Sequence, residues 1–365
     1  MNRNQFLRSA GLLTAGFMWP IERLFASSNR GSANLWPELL EYARWCPSPH
    51  NVQCWKLKIL DEKRASLYYD PKRIPVIVDS DTSFTIVGMG MFIECLNIAA
   101  QSKGWQVQAL HEQEGKLNSK AVSDQLFAQL ELVPFNGKPI CDRDLILKRR
   151  TSRLHYDGRQ IPDFLIMDLA MNSALFGQHL NVSSDPELVH SIIELNSNVI
   201  LERADDVPTM EEMRHWIRTN DAEAAEKKDG LWSAANAVSG KLLYNFCYHH
   251  ERFVHGWKRG MTRKMMNKGM KGTPQMGWIK GPFAKRTDWV NAGIMLQRLW
   301  LAMTSQGIYL HPLGTIITTP SAKETFLKKI NTTDEHGIVW FLIRLGYSKE
   351  PVRSYRLEAK DLLIP

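Results

Sequence analysis

Apolar side chains occupy nearly every face of residues 90–104 and 293–307, and each stretch stops at a glycine, Gly104 or Gly307. A helix that is apolar all round packs on more than one side, and a glycine just past its last turn suits a C-terminus. A short stretch of strand character follows each, residues 105–110 and 308–313. Residues 55–60 and 65–69 read as strands around the polar turn Asp61-Glu62-Lys63-Arg64. Residues 185–199, opening on Asp185-Pro186-Glu187, predict a helix, and residues 211–219 another. The continuous apolar run 337–346 predicts a buried strand. The mixture is α+β. It has too few parallel crossovers for a dinucleotide-binding domain, and neither Gly-x-Gly-x-x-Gly nor a Walker-type loop occurs.

The two apolar helices resemble each other at an offset of 203 residues. Gly90 aligns with Gly293, Leu96 with Leu299, Ala99 with Ala302, Ser102 with Ser305 and Gly104 with Gly307, and Leu110 with Leu313 extends the register. Such self-similarity predicts a duplicated fold with a central helix pair. Two unrelated core helices sharing a helix-to-glycine ending is the plainer alternative.

At 365 residues the chain is long enough for one large domain or two smaller ones. No stretch reaches the roughly 18 to 20 apolar residues that span a bilayer. The five cysteines are odd in number and lack a Cys-x-x-Cys pair, so neither a disulfide framework nor a cysteine zinc site is expected. The formal charge of +8 is regional. Residues 241–290 hold 11 Lys or Arg against Glu251 and Asp288, an excess that accounts for the whole imbalance. That segment interleaves Tyr244, Phe246, Tyr248, Phe253, Trp257, Trp278 and Phe283 with Met261, Met265, Met266, Met270 and Met276. A packed helical excursion with a basic outer face, a flexible lid and a membrane-surface contact all fit this composition. No nucleic-acid module accompanies the basic charge. His249, His250 and His255 have no carboxylate partners at ligand spacing, so no metal site is expected.

Residues 1–32 read as a leader and linker. Asn2-Arg3-Asn4-Gln5-Phe6-Leu7-Arg8 and the apolar run 10–19 look like a twin-arginine export signal in which Asn4 stands for the second arginine. Export to the periplasm and a cytoplasmic chain with an amphipathic leader both stay open.

The densest candidate chemistry is Arg149-Arg150-Thr151-Ser152-Arg153. Guanidinium forks match phosphate oxygens. On a helix Arg149 and Arg153 would stand one turn apart, and a helix N-terminus there would add backbone donors. An ordinary solvated basic turn is the bland alternative.

With three further stretches, this one resembles the nitroreductase family of flavoproteins, most closely its long single-chain Acg-like branch. The others are 43–55 (Ala-Arg-Trp-Cys-Pro-Ser-Pro-His-Asn-Val-Gln-Cys-Trp), 299–313, and 342–347 with Pro351 and Arg353. Cys54 stands where that branch has proline. The resemblance implies an FMN-dependent α+β fold, an internally duplicated single-chain pseudo-dimer with long central helices and antiparallel or mixed sheets. Its halves would be residues 33–145 and 146–365, the second carrying the 241–290 insert, and FMN would lie between them. The resemblance implies Arg149, Arg150 and Arg153 on the phosphate and ribityl chain, with Ser152 a lesser contact. Arg353, and after it Arg356, would reach the phosphate from the C-terminal end. Ser48, His50, Asn51 and Gln53 would line the ring. His50 is the one titratable side chain of that motif, in a catalytic or a structural role, and no dedicated general base is evident. The implied activity is two-electron hydride transfer through flavin N5, from NAD(P)H or another donor to a nitroaromatic, quinone or related electrophile. The runner-up is a flavin-binding or regulatory protein with little turnover. A monomer containing its own pseudo-dimer and a homodimer are both compatible with the chain.

Overall fold

In a computed structural model of the chain, the described residues are 34–110, 114–335 and 337–365. The leader and export reading of residues 1–32 falls outside them. The first half opens with α1 (Trp36–Ala43), then the expected hairpin β1 (Trp55–Ile59) and β2 (Arg64–Tyr69). The Asp61 carboxylate closes its turn by accepting from the backbone N–H groups of Lys63 and Arg64. The long helix α2 (Ser83–Gln101) follows, then β3 (Trp105–Leu110) and β4 (Gln125–Pro134). The four strands form an antiparallel sheet of order β1-β2-β4-β3.

Short helices α3 (Asp144–Lys148) and α4 (Asp163–Ala174) lead to β5 (His179–Ser183). An insertion then fills residues 184–274. It contains α5 (Pro186–Arg203), α6 (Val207–Trp216), β6 (Ile217–Arg218), α7 (Asp221–Lys227), β7 (Leu231–Trp232), α8 (Gly240–Tyr248), α9 (Glu251–Val254) and α10 (Gly256–Gly269). The core resumes with β8 (Gln275–Gly281), α11 (Arg286–Ser305), β9 (Tyr309–Pro312), α12 (Gly314–Thr318), α13 (Pro320–Lys329) and β10 (Ile338–Gly346), and α14 (Ala359–Leu362) ends the chain. The second sheet is antiparallel in the order β5-β8-β10-β9.

Both sheets therefore follow one plan: strand, strand, long helix, strand, strand, with the fourth strand between the second and the third. Where the first half turns from β1 to β2 over residues 60–63, the second carries the whole insertion. The basic segment expected at 241–290 needs its far boundary corrected. Residues 275–281 alternate into the core as a central strand, and 286–290 begin α11, so the excursion ends at residue 274. The helix expected at 211–219 runs over Val207–Trp216 instead, because Asp206 caps it from Thr209 N–H and Ile217 turns extended at its end.

Helices α2 and α11 cross at the aligned glycines. A Cβ on Gly90 would lie 2.4 Å from the Val290 carbonyl oxygen, and one on Gly293 would lie 2.2 Å from that of Val87. Only hydrogen fits on either backbone at this crossing. Three further matched positions do the same work twice, whereas Leu110 is exposed and its match Leu313 is buried. Leu96 and Leu299 are both buried. Ser102 Oγ donates to the Ala99 carbonyl at 2.7 Å and Ser305 Oγ to that of Ala302 at 2.8 Å. Gly104 and Gly307 follow with φ of 78° and 68°, a left-handed turn glycine adopts without steric cost. Arg298 on α11 bonds Glu94 on α2 at 2.7 Å. Burial raises the Glu94 pKa and the arginine opposes that rise. By length and composition α2 could cross a membrane, yet its side chains are buried inside the protein.

Two segments act as straps, the tail between the halves and the arginine stretch within the second. The tail runs back so that Leu363 bridges Leu57 and Ile364 N–H donates to the Leu57 carbonyl at 3.0 Å. Residues 149–153 lie along β9, with Thr151 bridging Leu310. The five cysteines are free.

Candidate functional site

A cavity of about 1380 Å³ lies between residues 45–51 of the first half and the Arg149 strap, the insertion and the C-terminal tail of the second. Ser48, His50, Asn51, Arg149, Arg150, Arg153, Arg353 and Arg356 all line it. Two of the sequence candidates do not. Gln53 is buried, donating to the Lys228 carbonyl at 2.9 Å and accepting from Leu357 N–H at 2.9 Å. Ser152 is buried against Ser348 Oγ at 2.7 Å. Both hold neighbouring segments in place.

The arginine stretch is not helical. Helix α3 ends at Lys148, and Arg149 leaves it with ψ of 132°. The chain beyond pairs with β9, where Ser152 N–H donates to the Leu310 carbonyl. Extended backbone sends neighbouring side chains to opposite faces, and this separates the arginines that a helix would have grouped. It also removes the expected helix N-terminus, so guanidiniums alone supply the charge.

Four arginines converge. Arg149 lies 4.5 Å over the Trp300 ring, and Arg353 lies 3.1 Å over Trp45, whose ring also meets Arg44 at 4.7 Å. Arg150 and Arg356 complete the group. Arg149 Nε and Nη1, Arg150 Nε, Arg353 Nε and Nη2, and Arg356 Nε are buried with no hydrogen-bond partner. The carboxylate paired with the group is Glu350, 3.8 Å from Arg150 and 72% exposed. Burial pulls Arg149 and Arg353 down to about 10 and Arg356 to about 9, and the mutual repulsion of these arginines adds to the effect. Buried, unpaired cations and unmade charged hydrogen bonds are both costly. A multiply charged anion such as a phosphate monoester satisfies them together.

The second cluster is the turn after Ser48. His50, Asn51 and Gln53 have φ of 45°, 58° and 53°, unusual for residues with side chains. The turn is clamped from two sides. Asn51 Nδ2 donates to the carbonyls of Gly230 and Tyr355, both at 3.2 Å, and Gly230 N–H returns a bond to the Asn51 carbonyl. Gly230 has φ of 73°, and a Cβ there would meet the Trp216 carbonyl at 2.2 Å. Asn51 Oδ1 and His50 Nδ1 are left buried without partners. Burial and then the Arg153 charge lower His50 to about 4, so its imidazole is neutral near pH 7. Arg153 stands apart from the four-arginine group, with Nη1 3.4 Å from the Ala235 carbonyl.

Sequence reasoning missed three parts of this wall. Trp45 and Trp300 carry the arginines. His311, held well below its ordinary pKa by burial, with Arg153 and Arg344 adding, takes a 3.2 Å bond from Arg344 Nε at Nδ1. Among the described residues no group of three or more His, Cys, Asp or Glu side chains is placed to hold a metal.

The lining of this cavity, four arginines with unpartnered guanidinium nitrogens, suits a multiply charged anion. No model of a protein family matches the chain. By sequence it is 24% identical over 326 residues to the probable NAD(P)H nitroreductase PigM of Serratia sp. (strain ATCC 39006), a match covering 85% of this chain and 88% of that one. The nitroreductase resemblance read from the motifs is thus supported by a likeness across most of both chains. Solved structures overlap more coarsely. One is the FMN and NADPH-dependent nitroreductase NfnB of Sphigopyxis sp. strain HMH, with TM-score 0.37 and 11% identity over 61% of this chain and 97% of that one. Another is the FMN-dependent nitroreductase NfnB of Mycobacterium smegmatis in complex with NADPH, with TM-score 0.32 and 14% identity over 56% and 86%. These overlaps carry no residue-level comparison.

Proposed function

We propose that this chain is an FMN-dependent oxidoreductase of the nitroreductase type. The observation that carries the proposal is the set of unpartnered guanidinium N–H groups on Arg149, Arg150, Arg353 and Arg356 at one cavity. These groups fit the phosphate of FMN, and they would hold it through charged hydrogen bonds backed by Trp45 and Trp300. Asn51 Oδ1 and His50 Nδ1 are the polar atoms left for the edge of its ring. Bound there, the flavin supplies two-electron chemistry between an NAD(P)H-type donor and a nitroaromatic, quinone or related electrophile.

The protein's own work is binding, orientation and electrostatics. The clamp by Gly230 and Tyr355 fixes the direction of Asn51, so its carbonyl oxygen is set before any ligand arrives. His50 near pH 7 has one nitrogen to accept and one to donate, and does not serve as a cationic acid. Arg153 places positive charge on the same side of the cavity, which favours added electron density in whatever lies against it. The insertion walls the remainder with apolar side chains, Met213, Leu243 and Phe246 among them.

The test is the purified protein itself. Denaturation is expected to release FMN, and anaerobic NADPH or NADH is expected to bleach the flavin band. Colourless protein that takes up no added FMN would refute the proposal. Flavin that dithionite reduces and NAD(P)H leaves coloured would favour the flavin-binding protein with little turnover.

A further inference from the structure

Helix α10 lies along α5 by one face only. Arg259 reaches Glu202 at 3.9 Å, Arg263 reaches Asn198 at 3.5 Å, and Asn267 bonds Ser197. These residues recur every four positions, so they mark one stripe of the helix. The stripe turned away from them is Trp257, Met261 and Met265, which are 72%, 59% and 44% exposed. Lys258, Lys264 and Lys268 are exposed beside it. Among the described residues these lysines make no ion pair. No Asp or Glu occurs from Arg252 to Thr287, and the acids that α5 and the turn after it bring to this helix, Glu202 and Asp205, lie against Arg259 and His255.

We propose that this face of α10 docks on an anionic lipid surface. A column of tryptophan and methionine flanked by lysines is what an in-plane interfacial helix presents: apolar groups for the acyl boundary, cations for the headgroups. A nucleic acid would use the lysines and leave the methionines without an apolar partner, since phosphate contacts need charge alone. The charge complementarity and the apolar column together single out lipid. Met265 and Lys268 also belong to the cavity wall. The docked face and the cavity therefore share a helix.

The experiment is co-sedimentation of the full chain with vesicles of phosphatidylcholine and phosphatidylglycerol, against phosphatidylcholine alone. The protein is expected to partition onto the anionic vesicles and to be released as salt rises. Lys258→Glu with Lys264→Glu should lower that partitioning by about tenfold or more. Trp257→Ser with Met261→Ser should also lower it several-fold, by roughly the loss expected for removing the apolar anchor. All four side chains are exposed, and unchanged flavin content and melting temperature verify that the variants fold. Protein that stays in the supernatant at low salt overturns the proposal, as does a Trp257/Met261 variant that partitions like the parent. Retention on a polynucleotide that needs Lys258 and Lys264 but not Trp257 and Met261 overturns it in favour of nucleic acid.

Discussion

Arg353 sits on Trp45 with Nε and Nη2 buried and unpartnered, Arg149 does the same on Trp300 with Nε and Nη1, and Arg150 and Arg356 each keep a buried, unpartnered Nε. Each charged hydrogen bond is worth about 1.5–3 kcal/mol. Arg353→Ala is therefore expected to weaken FMN binding by roughly ten- to a hundredfold in a fluorescence titration of the apoprotein. An unchanged affinity would remove Arg353 from the phosphate site. His50 makes a prediction of opposite kind. Its value of about 4 in the folded chain lies below the ordinary 6.5, so the unfolded chain takes up the proton first on acidification. The His50 contribution to stability is complete above about pH 6.5 and is lost as pH falls towards 4. NMR should find the ring neutral at pH 5, whereas a His50 midpoint near 6.5 would contradict the burial argument. At this scale the stretch from Arg149 to Arg153 pointed to anion chemistry because clustered guanidiniums advertise it, and the family resemblance alone added Arg353 and Arg356. Neither showed Trp45, Trp300 or His311 as parts of the wall. An aromatic ring, be it Trp300 on its buried helix or Trp45 in the turn after α1, has the same pattern whether it packs core or carries an arginine. Gln53 and Ser152 were assigned to the site by their motif neighbours, but their side chains bond inward, and no spacing rule reports that direction.

The two long helices were legible as elements because apolar residues all round and a terminal glycine survive any local context. Their boundaries moved, since α2 begins where Asp79 accepts from Phe84 and Thr85, several residues before the aligned stretch. The reciprocal packing of Gly90 and Gly293 predicts that Gly90→Ala or Gly293→Ala costs about 1–3 kcal/mol by forcing the helices apart. The double variant should cost less than the sum, because both methyl groups open the same crossing. Chemical denaturation checks both statements, and two neutral single variants would refute the contact. Arg298→Ala leaves Glu94 buried with only Asn97 beside it, and should destabilise by roughly 3 kcal/mol. A loss within error would mean that the carboxyl is protonated in the folded chain. The arginine strap shows where element prediction ran out. Five residues of mixed polarity do not reveal whether they continue α3 or join an edge strand, and the choice was made by β9, far away in sequence. The end of the insertion was hidden for a similar reason. Met276 and Trp278 belong to a core strand, yet their composition continues that of α10.

At the scale of the molecule, the matching strand orders and the aligned helix residues support a duplication in which one copy grew an excursion between its first two strands. Both halves line the cavity. The first supplies the His50 turn, the second the arginines, and the tail brings Arg353 and Arg356 back across β1. At about 1380 Å³ the cavity exceeds the roughly 300–1,000 Å³ usual for one small ligand. The central claim is that the four arginines grip a phosphate. Its most direct test is the affinity of the apoprotein for FMN against riboflavin, which has the same ring and no phosphate. The account predicts FMN tighter by about a hundredfold or more, with the difference largely abolished in Arg149→Ala with Arg353→Ala. Equal affinities, or a preference that survives in that variant, would contradict it.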